Sequence, residues 1–85
     1  MSETGNQNLR TYNKIFCETF GIQEEILNDD FTFKKVEEWD SVAHFALISE
    51  LDDTFDIMLK TEDILHFGSY KNGMLILQKY GVEFP

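Results

Sequence analysis

The chain has 85 residues, with sixteen Asp and Glu against seven Lys and Arg, a formal charge of −9, one Cys and one Pro. Domains run to about 50–200 residues, so this length holds one domain, and a hydrophobic fraction of 42% with eight Phe, three Tyr and one Trp is too apolar for a disordered acidic tail. The negative balance excludes phosphate-backbone binding, which needs Lys and Arg to displace counterions, and favours a basic protein partner over nucleic acid.

Residues 1–7 are polar and aperiodic and are expected to form a flexible segment ahead of a single domain over 8–85. They carry no basic run followed by an apolar stretch, and nowhere does the chain offer the roughly 18 apolar residues of a membrane span. The lone Cys17 leaves no internal disulfide and no multi-cysteine metal cluster. A monomer in the reducing cytoplasm, without membrane insertion, is the expectation.

Leu9, Tyr12, Phe16 and Phe20 recur at spacings of three and four and stop at Gly21, predicting a first amphipathic helix. From Gly21 to Asp40 the apolar residues keep no period. This reads as a long connection whose own side chains, Ile22, Ile26, Leu27, Phe31, Phe33, Val36 and Trp39, pack onto the domain, and connections of more than about 12–15 residues are often functional.

A second helix is predicted from Asp40 or Ser41, either of which can cap it, to about Phe55. At 100° per residue, Phe45, Leu47, Ile48, Leu51 and Phe55 share an inner arc, and Val42, Ala46, Ser49, Glu50, Asp52 and Asp53 lie opposite. The charge concentrates here: residues 37–63 hold nine acidic side chains and one basic, a net −8. A short third helix is expected with Thr61 as its N-cap and Glu62 and Asp63 in its first turn. Ser69 should cap a fourth helix with Tyr70, Met74, Leu77 and Tyr80 inward, although Gly73 within it costs roughly 1 kcal/mol against Ala. The predicted architecture is all-α, a bundle of three main helices plus a short one with a long first loop.

Several chemistries fit poorly. The acidic run from Asp52 to Asp63 has the length of a calcium loop but places Ile57 where the turn needs Gly. Asp40 and His44 supply two ligands without a third, and His44 reads better as a partly buried imidazole hydrogen-bonded near the helix start. Ser41 lacks the glycine-flanked elbow of hydrolases, and Cys17 reads as a small hydrophobe. The chain is expected not to be an enzyme.

The stretch Glu38-Trp39-Asp40-Ser41-Val42-Ala43-His44-Phe45-Ala46-Leu47-Ile48-Ser49-Glu50-Leu51-Asp52-Asp53-Thr54-Phe55-Asp56 resembles the acyl carrier protein family, in which an Asp-Ser-Leu motif opens the second helix and an acidic cluster runs into Phe-Asp or Phe-Gly. The similarity of length, acidity, helix order and first loop extends over nearly the whole chain. The resemblance implies a four-helix bundle in which Ser41 is the attachment point of 4′-phosphopantetheine and Asp40 belongs to the motif and caps the helix. It also implies a phosphopantetheinyl transferase using coenzyme A as one partner. Acyl-loading and acyl-processing enzymes would be others, their basic patches meeting Val42, Ala46, Glu50, Asp52 and Asp53. The cargo would be an acyl or aminoacyl thioester of a fatty-acid-like, polyketide, nonribosomal peptide or other specialised pathway. Val42 in place of the usual Leu, Ala46 where fatty-acid carriers commonly have Glu, and Glu38-Trp39 in place of Gly-Ala point to a specialised stand-alone carrier. The other reading is a small acidic helical adaptor that binds a basic protein without a prosthetic group and uses Ser41 only as a cap.

Overall fold

The computed structural model describes residues 3–85. Four helices follow one another, α1 (Glu3–Phe20), α2 (Ser41–Phe55), α3 (Thr61–His66) and α4 (Tyr70–Lys79), and a single 3-10 turn, Glu24–Ile26, interrupts the long first connection. The chain is thus all-α as the periodicity requires, with three longer helices and one short. Among the described residues no helix is long and apolar enough to cross a membrane.

α1 starts earlier than its periodicity suggests. Residues 3–7, expected to be loose, are helical, while Met1 and Ser2 lie outside the described residues. The cause is tertiary. The C-terminal tail crosses this end of the helix, where Asn8 Nδ2 donates to the Glu83 carbonyl at 3.0 Å and the Phe84 ring meets Tyr12 edge-on at 5.4 Å.

The long connection is ordered by what it buries. Phe31 and Trp39 are almost fully covered, and their rings join Phe16 and Phe20 of α1 in a four-ring cluster with every pair of centroids 5.2–5.8 Å apart. Tilted and edge-on pairs of this kind each add about 0.5–1.5 kcal/mol beyond area burial. The loop is also pinned through its backbone. Phe33 N–H donates to the Gly68 carbonyl at 2.8 Å and Tyr70 N–H to the Phe31 carbonyl at 2.9 Å, forming an antiparallel bridge between Thr32 and Ser69 just before α4.

Two helix starts follow the rules of capping and one departs from them. Ser69 accepts from the Asn72 N–H at 2.9 Å, the expected cap of α4. Thr61, expected to cap α3, is instead its first helical residue; Lys60 holds the cap position and offers no side-chain acceptor. α3 is held from outside. The half-exposed Lys79 reaches Asp63 with an Nζ to Oδ1 distance of 2.7 Å, the Tyr80 hydroxyl donates to the other carboxylate oxygen, and Lys60 N–H donates to Tyr80 Oη at 2.9 Å.

α4 turns Gly73, Ile76 and Leu77 fully inward, with Tyr70, Met74 and Tyr80 half-buried beside them. Gly73 has a packing reason. A Cβ there would overlap the Phe67 ring and the Tyr12 hydroxyl, so the helix can approach α1 and the α3 exit only without a side chain at this position. That hydroxyl donates to the Tyr70 carbonyl at 2.6 Å, and burial raises its pKa well above the ordinary phenol value, keeping the donor protonated.

Candidate functional site

Asp40 has extended backbone geometry and its carboxylate accepts from the Ala43 N–H at 2.8 Å, so Asp40 caps α2. This leaves Ser41 as the first residue of the helix, exposed, with a hydroxyl that no partner claims. The N–H groups of Ser41 and Val42 also have no backbone acceptor, the normal condition of a first helical turn. The role of cap and the role of free hydroxyl therefore fall on two adjacent residues.

Ser41 stands at the mouth of a groove of about 520 Å³ between α2, the long loop and the exit of α3. Phe33, Lys34, His44, Phe45, Leu65 and Phe67 line it. Phe45 was expected on the inner arc, but it is 65% exposed, and Leu65 opposite it is 76% exposed. The reason is angular. Phe45 lies one helical turn after Ser41 on the flank of α2, and the six-residue α3 is too short to cover it, while Leu47, Ile48 and Leu51 fill the core. Phe33 and Ile26, expected to pack onto the domain with the rest of the loop, are exposed, Phe33 because it lines this groove; sequence periodicity gave no signal for Lys34 or Leu65, since the loop and α3 meet α2 only through the tertiary fold.

His44 lines this groove with both nitrogens in use. Trp39 Nε1 donates to Nδ1 at 3.0 Å, and Nε2 lies 2.8 Å from the Ile64 carbonyl of α3, an arrangement that takes the Nε2–H tautomer. The imidazole expected near the helix start is there as a structural bridge. Asp40 and His44 do not converge on a common point, the one holding Ala43 and the other holding α3.

The other flank of α2 faces α1. A second groove of about 490 Å³ is lined by Ile15, Val42, Ala43 and Ala46 together with the carboxylates of Glu18, Glu38, Asp40 and Glu50. Val42, Ala46, Glu50 and Asp53 are exposed, as the helical wheel places them. Asp52 is not part of that open face. It is half-buried, and its carboxylate accepts from the Leu59 N–H at 3.2 Å, holding the turn that follows the left-handed Asp56 at the end of α2. Asp63, counted within the acidic block, is likewise turned inward, and its carboxyl sits below the usual carboxylate range through the Lys79 and Tyr80 hydrogen bonds. The ends of the Asp52 to Asp63 run are thus engaged in separate structural bonds. Glu18 and Glu38 join the lining from α1 and the loop, which the helical wheel of α2 alone does not reveal.

Cys17 is half-buried on α1, and burial together with Glu24, Glu25 and Glu18 raises its thiol pKa, the opposite of an activated nucleophile. His66 is exposed, its Nδ1 lying 2.8 Å from the Glu62 carbonyl within α3. No protein-family model and no curated protein matches the chain.

Proposed function

We propose that this chain is a cytoplasmic carrier of the acyl carrier protein type, with Ser41 bearing 4′-phosphopantetheine. The observation that carries the reading is the free, exposed Ser41 hydroxyl, relieved of capping by Asp40 and placed at the mouth of an apolar groove. A phosphodiester on that oxygen would lie at the positive end of a fifteen-residue helix, beside the unpaired N–H groups of Ser41 and Val42 and within the groove that Lys34 lines. When bound, the group supplies a thiol that holds an acyl or aminoacyl unit as a thioester.

The chain's own residues supply position and not activation. The Ser41 proton has to leave for a bond to phosphorus to form, and among the described residues no side chain is hydrogen-bonded to that hydroxyl to take it; Asp40 Oδ1 accepts from Ala43, and both nitrogens of His44 are engaged. We therefore assign deprotonation to a transferase that breaks the pyrophosphate bond of coenzyme A as the serine oxygen bonds to phosphorus, with adenosine 3′,5′-bisphosphate leaving and a divalent metal supplied by that enzyme. Acyl-loading and acyl-processing enzymes with basic patches would dock on the exposed side of α2 at Val42, Ala46, Glu50 and Asp53, with Asp52 at its margin.

Intact mass after incubation with coenzyme A, magnesium and a broad-specificity phosphopantetheinyl transferase tests this directly. One phosphopantetheinyl group is gained by the native chain and none by Ser41→Ala. Absence of any gain with several such transferases would sink the reading and leave an acidic adaptor.

A further inference from the structure

His44 is held by two partners whose hydrogen-bonding roles are fixed by their chemistry. The Trp39 indole N–H can only donate and the Ile64 carbonyl can only accept, so Nδ1 must present a lone pair and Nε2 a proton. Both bonds exist together only in the neutral ring. A second proton would land on Nδ1, the atom that faces the indole nitrogen at 3.0 Å, and donor would then meet donor. The two bonds answer that proton differently. The Ile64 bond keeps its donor and becomes charge-assisted, hence stronger. The indole loses its acceptor, and Trp39, 1% exposed within the ring cluster, has almost no access to water in exchange.

We infer that His44 is a proton-operated latch on the segment leading into Ser41: neutral, it ties the Trp39 indole to α3; protonated from solvent at Nδ1, it keeps the Ile64 carbonyl and lets the indole go. Trp39 and Asp40 directly precede Ser41, so release loosens the end of the long loop where it enters α2. α3 stays docked, because Asp63 binds Lys79 and Tyr80 independently of His44. The charges around the ring do not substitute for the latch. On the loop, Lys34 lines the same groove and opposes a second cation, Lys35 is paired with Asp30, Glu37 is exposed and Glu38 lines the opposite groove. On α2, the Asp40 carboxylate is turned to the Ala43 N–H. On α3, Glu62 is exposed, Asp63 is bonded away, and His66 Nδ1 lies against the Glu62 carbonyl. Among the described residues no carboxylate lines the groove beside His44. The indole bond is therefore present while the ring is neutral and is lost as pH falls through the range in which the ring takes its second proton. It needs no modification of Ser41 and stands apart from the carrier reading.

The test uses the unmodified full chain labelled with ¹⁵N, in which the one tryptophan gives a single indole N–H resonance. The chain is titrated from about pH 8 to about pH 5, across the ordinary imidazole range, with the ring protons of both histidines followed separately. The result expected is that the indole resonance leaves its bonded position with the same midpoint as the His44 ring protons. Its exchange with water, corrected for the ordinary pH dependence of exchange, should quicken roughly tenfold, while the amides of Phe16 and Leu77 hold their positions. In His44→Gln the side-chain amide offers one acceptor and one donor and takes no proton, so the indole should stay bonded at every pH. His66→Gln should leave the transition intact. Four results would overturn the latch: an indole resonance that stays put while His44 titrates, a transition that persists in His44→Gln, one that follows His66, or a His44 ring that stays neutral until the whole chain unfolds. Should His44→Gln not fold, the native titration decides alone, since coincidence of the two midpoints or its absence is read there.

Discussion

On the α1 side of α2 the open groove is lined by four carboxylates and no aromatic ring, whereas on the α3 side three phenylalanines and a leucine surround Ser41 with no carboxylate among them. One helix separates the two. Ser41 and Phe45 form one strip along it, and Val42, Ala46 and Glu50 form the next, about 100° around the axis. The cap at Asp40 fixes which strip faces which neighbour, so charge recognition and apolar contact are kept apart by the register of a single turn.

Trp39 is the strongest handle on this arrangement, since it fills the core beneath the first turn of α2 and ties His44 in place. Trp39→Ala should cost about 3–5 kcal/mol in urea unfolding, whereas Phe45→Ser on the exposed strip should cost less than about 1 kcal/mol. Equal losses would show that the apolar flank is core and not surface.

The capping assignment is next in size. Asp40→Ala should lower stability by about 1 kcal/mol and Ser41→Ala by less than about 0.5 kcal/mol. The reverse order in thermal or urea unfolding would return the cap to Ser41 and remove the main support for its free hydroxyl.

Charge on the α2 face can be separated from the aromatic flank kinetically. Glu50→Lys with Asp53→Lys should slow transferase modification of Ser41 severalfold at low ionic strength, with the difference shrinking as salt is added and the midpoint of unfolding nearly unchanged. A rate independent of these charges and of salt would show that the transferase does not use this face.

The smallest effect concerns acid. Asp63 has its pKa lowered by the hydrogen bonds from Lys79 and Tyr80, so the ionised form is favoured by folding. Its contribution is present above the unfolded carboxylate value, near 3.9, and is lost as pH falls through the lower folded value. Asp63→Asn should therefore flatten the acid limb of a stability profile below about pH 4. An unchanged limb would mean that the bonds to α4 survive protonation.

The Asp40-Ser41 start of α2, the extents of α2 and α4 and the buried set Leu47, Ile48 and Leu51 were legible because local capping chemistry and 3.6-residue periodicity act within one helix. Phe45 was misplaced because periodicity ranks residues by angle and cannot tell that the short α3 leaves a flank bare. Thr61 was misread as a cap because threonine before two acids looks like a helix start, yet α3 is held by Asp63, Lys79 and Tyr80 across the chain.

By itself the sequence determined the helical class, the acidic centre and the candidate serine, all properties of composition and short-range spacing. The tertiary structure decided that Ser41 is free while Asp40 caps, that Asp52 and Asp63 point into the protein, and that Glu18 and Glu38 line one groove with Glu50. The Asp40 and Asp52 bonds are short-range contacts whose geometry the sequence left open between alternatives. The Asp63 bonds and the meeting of Glu18, Glu38 and Glu50 instead join residues distant in sequence around the ring cluster of Phe16, Phe20, Phe31 and Trp39, a packing settled only when the whole chain closes on it.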